Sequence, residues 1–350
     1  MKILVSALEH SANVHLKSLK NELREDTELM GIFDSDLGKP IVDLRSFAIM
    51  GIIDALKKLR FFFKLADEMV ELSREADKVL LIDSSGFNLP LAKKIKKRYP
   101  NKEIIYYILP QAWAWKKKRI PVLAHTIDHL CSILPFEPSC YPKDAPIEYV
   151  GHPLLDQIKE FKESSVQKIK HITFMPGSRK GEIKQLMPIF QELRKELREI
   201  KKATVIIPKY FSDEDIKELY GDLSNFEVRH GAHKTLREAD FAFICSGTAT
   251  LEAALIGTPF ILAYKAKPLD YFIGSYVVKL PHVGLANIMF EKFKGVEIHP
   301  EFLQDGVTVE NLLESYKKYD TSYFLENSKA LREYLQHGSS KRVAQIIEET

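Results

Sequence analysis

Cysteine is scarce, with Cys131, Cys140 and Cys245 the only three in 350 residues. An odd number without close metal-type spacing excludes a disulfide framework and a zinc ribbon, and leaves reduced cytosolic thiols as the simplest reading. Long apolar runs are missing too. None approaches the roughly 20 residues of a spanning helix. The opening Met1-Lys-Ile-Leu-Val-Ser-Ala7 turns polar too soon for a signal peptide, so a cytoplasmic protein is expected. Short-period repeats and low-complexity tracts are absent. The net charge of +3 is too small to argue for nucleic acid by itself. No Asp-x-Asp metal motif stands in a suitable turn. What remains is an ordinary globular composition, 45% hydrophobic and 28% charged, in a length suited to two domains.

The most informative stretch is Ile244-Cys-Ser-Gly-Thr-Ala-Thr-Leu-Glu252. Asp240–Ile244 predicts a short buried strand, and Thr250–Leu255 a helix that stops at Gly257-Thr-Pro259. A strand, a small hydroxyl-rich turn and a helix entrance gather free N–H groups at a positive helix end, which suits a phosphate. Gly247 allows close backbone approach. Ser246, Thr248 and Thr250 can donate to phosphate oxygens. Glu252 repels phosphate, so its place is at a sugar hydroxyl beyond it. The alternative is a plain helix cap, but a capping box needs Ser or Thr at 249, which is alanine.

Other segments follow the same grammar. Lys2–Ala7 predicts a first strand, and Leu8-Glu-His-Ser-Ala-Asn13 a turn into a helix with Leu16, Leu19 and Leu23. Glu9, His10 and Ser11 then stand at a site edge or in a surface turn. Lys78–Asp83 is a second strand. Asp83 at its carboxyl end is placed as a general base would be, or as an Asx-turn residue. Residues 50–64 alternate apolar and basic residues and include Phe61, Phe62 and Phe63, as in an interfacial helix or a core helix with a solvated basic face. The loop at 110–119 holds both tryptophans beside four cations. Such interleaving occurs in nucleic-acid binders, but no nucleic-acid motif is present, and anionic lipid fits equally well. Gly151-His-Pro153 marks the domain break, with His152 either at a cleft or in a turn. In the second half, Ile172–Met175 is a strand, and Arg179 stands at the entrance of a long helix, where a guanidinium suits an oxyanion. Gly284–Ile288 is expected to be a cleft-facing loop, and 309–349 helical throughout. Spacing alone reaches a nucleotide-handling α/β protein of two doubly wound domains over a cleft.

In order and separation, the motifs resemble those of the lipid-A-disaccharide synthases, bacterial glycosyltransferases of GT-B architecture. The carriers are Met50-Gly-Ile-Ile-Asp-Ala-Leu56, Ile82-Asp83 with Phe87-Asn88, Trp113-Ala-Trp115, Val150–Pro153, Pro176–Arg179 with Glu182, Ser246–Glu252, Leu285-Ala-Asn287 and Glu301–Gln304. The resemblance implies two Rossmann-like domains facing across a cleft. These are an acceptor and membrane-facing domain at 1–155 and a UDP-sugar domain at 165–330, with a helix at about 335–350 as a candidate to pack back on the first. It implies transfer from UDP-2,3-diacylglucosamine to 2,3-diacylglucosamine 1-phosphate (lipid X), releasing UDP with inversion, without cofactor or metal and without nucleic acid. The oligomeric state is left open. The resemblance implies that Asp83 is the base, with Glu9, His10 and Ser11 beside it. On the donor side it implies Arg179, Ser246, Gly247, Thr248 and Thr250 at the diphosphate, Glu252 at the ribose, and Asn287 in the nucleotide or donor-sugar pocket. An anionic inner-membrane surface is the implied peripheral partner. The chain departs from the family pattern at Leu8, Ala12, Asn13 and Gly86, where a second carboxylate is usual. Alternatives are a UDP-N-acetylglucosamine 2-epimerase or murein-type transferase of the same fold, or a membrane-docked nucleotide-binding module without catalysis.

Overall fold

The computed structural model describes residues 1–42, 55–114, 116–165, 168–265 and 281–349, without the side chains of 55–59. The motif at 50–54, the side chains of Lys57 and Lys58, and Trp115 therefore lie outside the described residues. The chain divides into two compact units, Met1–Asp156 with Leu335–Thr350, and Gln157–Tyr334.

Unit 1 contains β1 (Lys2–Ser6), α1 (His10–Lys20), β2 (Glu28–Ile32), α2 (Ala55–Leu72), β3 (Lys78–Ile82), α3 (Ser85–Arg98), β4 (Ile104–Tyr107), α4 (Ile120–Thr126), β5 (His129–Ser132), β6 (Ile147–Tyr149) and α5 (Pro153–Gln157). Among the described residues its sheet is six-stranded and parallel, in the order β2-β1-β3-β4-β5-β6. Strands covered on both faces need continuous apolar runs, and β3 and β4 are buried along their whole length. One face packs Leu65, Met69, Leu91, Ile95 and Leu123 from α2, α3 and α4. The order reverses between β1 and β3, so their carboxyl ends open a crevice of the kind that holds ligands in such sheets.

Unit 2 contains β7 (His171–Met175), α6 (Lys180–Glu196), β8 (Lys202–Ile206), α7 (Asp213–Tyr220), β9 (Glu227–Arg229), α8 (Ala232–Glu238), β10 (Phe241–Ile244), α9 (Thr248–Ile256), β11 (Phe260–Tyr264), α10 (Leu285–Lys294), β12 (Glu301–Leu303), α11 (Val309–Lys317) and α12 (Thr321–Leu335), the last ending at the unit border. Its parallel sheet, again six-stranded among the described residues, runs β12-β11-β10-β7-β8-β9 and reverses between β7 and β10. Phe174 and Phe243 stack at its centre with ring centroids 5.5 Å apart. Helix α9 is apolar nearly all round and buried, as such a helix must be. It ends at Gly257 (φ 83°), where a Cβ would meet a Phe161 ring carbon at 2.8 Å.

The final helix, α13 (Ser339–Glu349), belongs to unit 1. Val343, Ala344, Ile346 and Ile347 share a core cluster with Leu16 and Leu19 of α1. Asp156 holds its entrance by accepting from the Gly338 and Ser340 N–H groups, each at 2.8 Å. His152 follows the domain break at the entrance of α5. It is buried, and its N–H donates to the Leu335 carbonyl (3.1 Å). Burial and then neighbouring His15 push its imidazole down to about 3, so it is neutral. The 309–349 stretch is not one continuous run of helix. It breaks at Lys318–Asp320 and again at Gln336–Gly338, where Gln336 and Gly338 take φ of 42° and 94°.

The three phenylalanines of α2 divide between core and solvent. Phe61 and Phe62 pack against the core, Phe62 edge-on to Phe87 at 5.9 Å. Phe63 is 58% exposed, with the Lys94 ammonium 5.7 Å from its ring centre. Phe62→Ser should therefore destabilise unit 1 by about 2 kcal/mol or more, whereas Phe63→Ser should stay within roughly 0.5 kcal/mol. Urea unfolding of the two variants checks this, and equal losses would contradict the placement.

Candidate active site

In unit 1 the crevice between β1 and β3 gathers the acidic candidates. Asp83 and Ser84 follow β3 with φ of 51° and 44°, two consecutive non-glycine residues in left-handed backbone. Such positions cost on the order of 1–3 kcal/mol each and persist only where surroundings fix them. Three side chains do so. Asn88 Nδ2 donates to the Ile82 and Asp83 carbonyls (3.1 and 2.8 Å). Tyr106 donates its hydroxyl to the Asp83 carbonyl at 2.7 Å. Ser6 of β1 donates to Asn88 Oδ1 at 2.6 Å, tying the two strand ends together. The strained turn also brings the Ser84 hydroxyl to Glu9 Oε1 at 3.2 Å. Burial first, then the Glu9 charge, raises the Asp83 carboxyl above its ordinary 3.8, while the Ser84 N–H bond opposes the shift. A half-buried carboxylate with a raised proton affinity at a strand's carboxyl end suits proton abstraction.

The neighbouring turn explains the departures from the family pattern. Asn13 is buried, donates to the Ala7 and Glu9 carbonyls (2.8 and 2.9 Å) and accepts from the Asp34 N–H (2.7 Å). An amide fills all three roles, which no carboxylate does. Ala12 is fully buried and Leu8 packs against the core. Glu9, His10 and Ser11 are exposed at the start of α1, with Glu9 nearest to Asp83's turn. Gly86 is exposed, and a Cβ there would meet nothing within 4 Å.

In unit 2 the crevice lies between β7 and β10. Cys245 N donates to the Met175 carbonyl (2.8 Å), so the turns after the two strands are adjacent. Gly177 (φ 107°) lets them close, since a Cβ would sit 2.7 Å from Glu182 Oε2 and 3.2 Å from Cys245 Sγ. Arg179 caps α6, and Glu182 Oε1 holds one of its guanidinium nitrogens at 2.8 Å while 81% of the side chain stays exposed. Helix α9 starts at exposed Gly247 (φ 140°) with no side-chain cap. Thr248 is exposed, and Ser246 is half-buried with its hydroxyl 3.3 Å from the Val283 carbonyl. Glu252 is half-buried, has no hydrogen-bond partner among the described residues, and burial alone raises its carboxyl.

Two residues expected at the ligand are engaged in hydrogen bonds within unit 2. Thr250 is fully buried and donates its hydroxyl to the Gly247 carbonyl (2.8 Å). Asn287 lies in α10, not in a loop, because Gly284 begins a helical turn whose next residues bury an apolar face. Its amide donates to the His299 carbonyl and Glu301 Oε1 (both 2.8 Å) and accepts from the Ile298 N–H (2.8 Å). Glu301 in turn accepts from the Val283 and Gly284 N–H groups (2.8 and 3.1 Å). That network positions the loop against which Ser246 rests. Sequence reasoning assigned no role to Asn88, Tyr106, Ser6 or Glu301. Buried polar side chains inside motif runs were the available signal for Asn88 and Glu301. Among the described residues no group of three or more His, Cys, Asp or Glu is arranged to hold a metal ion.

A family model described as lipid-A-disaccharide synthetase matches residues 3–350. The chain is 49% identical over 354 residues to a Helicobacter pylori (strain ATCC 700392 / 26695) protein named lipid-A-disaccharide synthase, covering 98% of this chain and 96% of that one. A Campylobacter jejuni (strain RM1221) protein of the same name is 48% identical, with 99% of each chain covered. Among solved structures, S. aureus MnaA with UDP matches at TM-score 0.64 and 14% identity, covering 99% of this chain and 96% of that one. The Neisseria meningitidis UDP-GlcNAc 2-epimerase bound to UDP-GlcNAc matches at 0.63 and 13%, over 100% of both. Acinetobacter baumannii MurG matches at 0.60 and 13%, over 100% and 99%. At such identities these structures show the fold alone, the GT-B arrangement of paired parallel α/β units.

Asn287→Ala should strip partners from Ile298, His299 and Glu301 together. A loss of about 1–3 kcal/mol in unit 2 stability is expected, read as a lower midpoint in thermal unfolding. An unchanged midpoint with lowered UDP affinity would return Asn287 to the ligand side.

Proposed function

This chain belongs to the lipid-A-disaccharide synthase family, and from that premise we propose that it joins UDP-2,3-diacylglucosamine to lipid X, giving the β-1,6-linked disaccharide 1-phosphate and UDP. The carrying observation is the Asp83 turn, in which strained backbone holds a half-buried carboxylate beside Glu9. The acceptor's 6-hydroxyl oxygen attacks the donor's anomeric carbon and its proton passes to Asp83. The bond from that carbon to the diphosphate oxygen breaks, and UDP carries the electron pair away. Inversion follows from the single displacement. Glu9 keeps Asp83 basic through its charge. His10 and Ser11 flank the acceptor side.

The donor side rests on unit 2. The free edge of the Arg179 guanidinium and the uncapped entrance of α9, with Ser246, Gly247 and Thr248, suit the charge that builds on the departing diphosphate. Glu252, half-buried without a donor of its own, suits the ribose hydroxyls. Thr250 and Asn287 serve by fixing the turn and the loop around it.

We further propose that unit 1 docks peripherally on the anionic inner-membrane surface from the cytoplasmic side, where acylated substrates reside. Exposed Phe63, Lys93, Lys97 and Lys116–Lys118 support this reading. Lys94 and Lys96 contribute less, because Asp67 and Asp128 pair with them at 2.6 and 2.7 Å. Among the described residues no helix is long and apolar enough to cross a membrane.

Disaccharide formation from the two purified substrates tests the function, with UDP release measured with and without lipid X. UDP-sugar consumption without lipid X would indicate an epimerase instead. Glu9→Gln removes a like charge, so Asp83 titrates lower and the acidic limb of the kcat/KM profile moves to lower pH. An unmoved limb would separate Glu9 from the base. Arg179→Ala and Glu252→Ala should each weaken UDP binding about 10–100-fold in calorimetry. Vesicle sedimentation should fall with salt, and further in Phe63→Ser.

A further inference from the structure

Arg119 is a guanidinium of unit 1 that the reaction scheme leaves unused. It closes the short 3-10 turn Lys117–Arg119, and while the lysines before it are exposed, Arg119 is half-buried. Its Nη1 donates to Ser85 Oγ at 3.0 Å. Ser85 opens α3, two residues after Asp83, and the first turn of α3 contains no acidic residue. Among the described residues no carboxylate stands within ion-pair distance of Arg119. Where the family pattern has a second carboxylate, this chain has Gly86, beside which a Cβ would meet open space. Tyr106 donates its hydroxyl to the Asp83 carbonyl at 2.7 Å, and Arg119 is hydrogen-bonded to Ser85, two residues further on. Burial pushes the Tyr106 phenol up first and the Asp83 charge pushes it further, while the Arg119 charge pulls it back. The two charges thus act on one phenol with opposite sign, and among the described residues no ion pair joins Arg119 to Asp83.

With Nη1 on Ser85 and no carboxylate within ion-pair distance among the described residues, the Arg119 guanidinium has donors left for an anionic ligand. We propose that Arg119, with the Ser85 hydroxyl and the entrance of α3, binds the anomeric phosphate of the acceptor sugar. This rests on the acceptor reading of unit 1. On that acceptor the phosphate is on C1 and the reacting 6-hydroxyl on C6, the exocyclic carbon attached to C5, so the two groups leave the same pyranose from either side of its ring oxygen. Anchoring the phosphate at Arg119 therefore sets the 6-hydroxyl in register with Asp83, one sugar ring away. The guanidinium keeps a free edge for two phosphate oxygens while Ser85 orients it. The absent carboxylate at position 86 leaves that anion uncontested. Selectivity for a phosphorylated acceptor follows.

The test compares full-length wild type, Arg119→Ala, Arg119→Lys and Ser85→Ala with 2,3-diacylglucosamine 1-phosphate and with the same diacylated sugar lacking the phosphate. Wild type should favour the phosphorylated acceptor in kcat/KM. Arg119→Ala should reduce that preference about 10–100-fold, chiefly through KM, with Arg119→Lys and Ser85→Ala between. Inorganic phosphate should compete with the phosphorylated acceptor in wild type and lose that effect in Arg119→Ala. Calorimetric UDP binding reports that unit 2 is folded. Should Arg119→Ala fail to fold, Arg119→Lys carries the comparison, because it keeps charge but loses the planar fork. Equal losses on both acceptors, or an unchanged preference, would overturn the assignment. So would an Arg119→Ala effect confined to sedimentation with anionic vesicles, which would mark a lipid headgroup contact. If wild type binds UDP but couples neither acceptor, the acceptor reading itself falls and this proposal with it, a pattern distinct from loss of preference.

Discussion

The Asn88 side chain holds together what the proposed chemistry of unit 1 depends on. Its amide donates to the carbonyls of Ile82 and Asp83, and its carbonyl accepts from Ser6 at the end of the neighbouring strand. All three contacts are formed at a fully buried residue, where leaving any one unmade would be expensive. Two left-handed residues are thereby held in place, and the Ser84 hydroxyl next to Asp83 reaches Glu9. The raised proton affinity of Asp83 is a consequence of that placement, since burial and the Glu9 charge act only if the turn keeps its shape. Strain, burial and basicity have one cause.

Unit 2 solves a parallel problem by different means. Its crevice also lies where the strand order reverses, but glycines rather than strained side-chain residues admit the close approach. Gly177 and Gly247 take backbone angles that other residues avoid, and Glu182 and Thr250 brace the two turns. The proposed phosphate role of this turn needs exposed N–H groups, and a side chain filling the cap would defeat it. The proposed base in unit 1 instead has a buried wall behind its turn, formed by Asn88 and Tyr106.

Much of this was legible in the sequence. Continuous apolar runs such as Lys78–Ile82 and Phe241–Ile244 announce strands covered on both faces, and the small-residue turn after Ile244 announces a helix entrance. Asp83 and Arg179 were legible because each ends a strand or opens a helix. Other features were hidden for physical reasons. Thr250 and Asn287 are polar residues at plausible ligand positions, and only the fold shows their bonds to the Gly247 carbonyl and to Glu301. Asn287 was placed in a loop because Gly284 resembles a loop residue, whereas here it begins α10. Asn13, a mismatch in sequence, is a fully used hydrogen-bonding hub in three dimensions. Arg119 was one of four clustered cations until its contact with Ser85 set it apart.

The central claim is that the Asp83 carboxylate, held by this turn, takes the acceptor proton. The most direct measurement is single-turnover disaccharide formation by Asp83→Asn, with UDP binding measured on the same sample. The account predicts a rate about 10²–10⁴-fold below wild type with UDP affinity retained, since the proposed nucleotide turns belong to unit 2. Near-normal turnover by Asp83→Asn would contradict it.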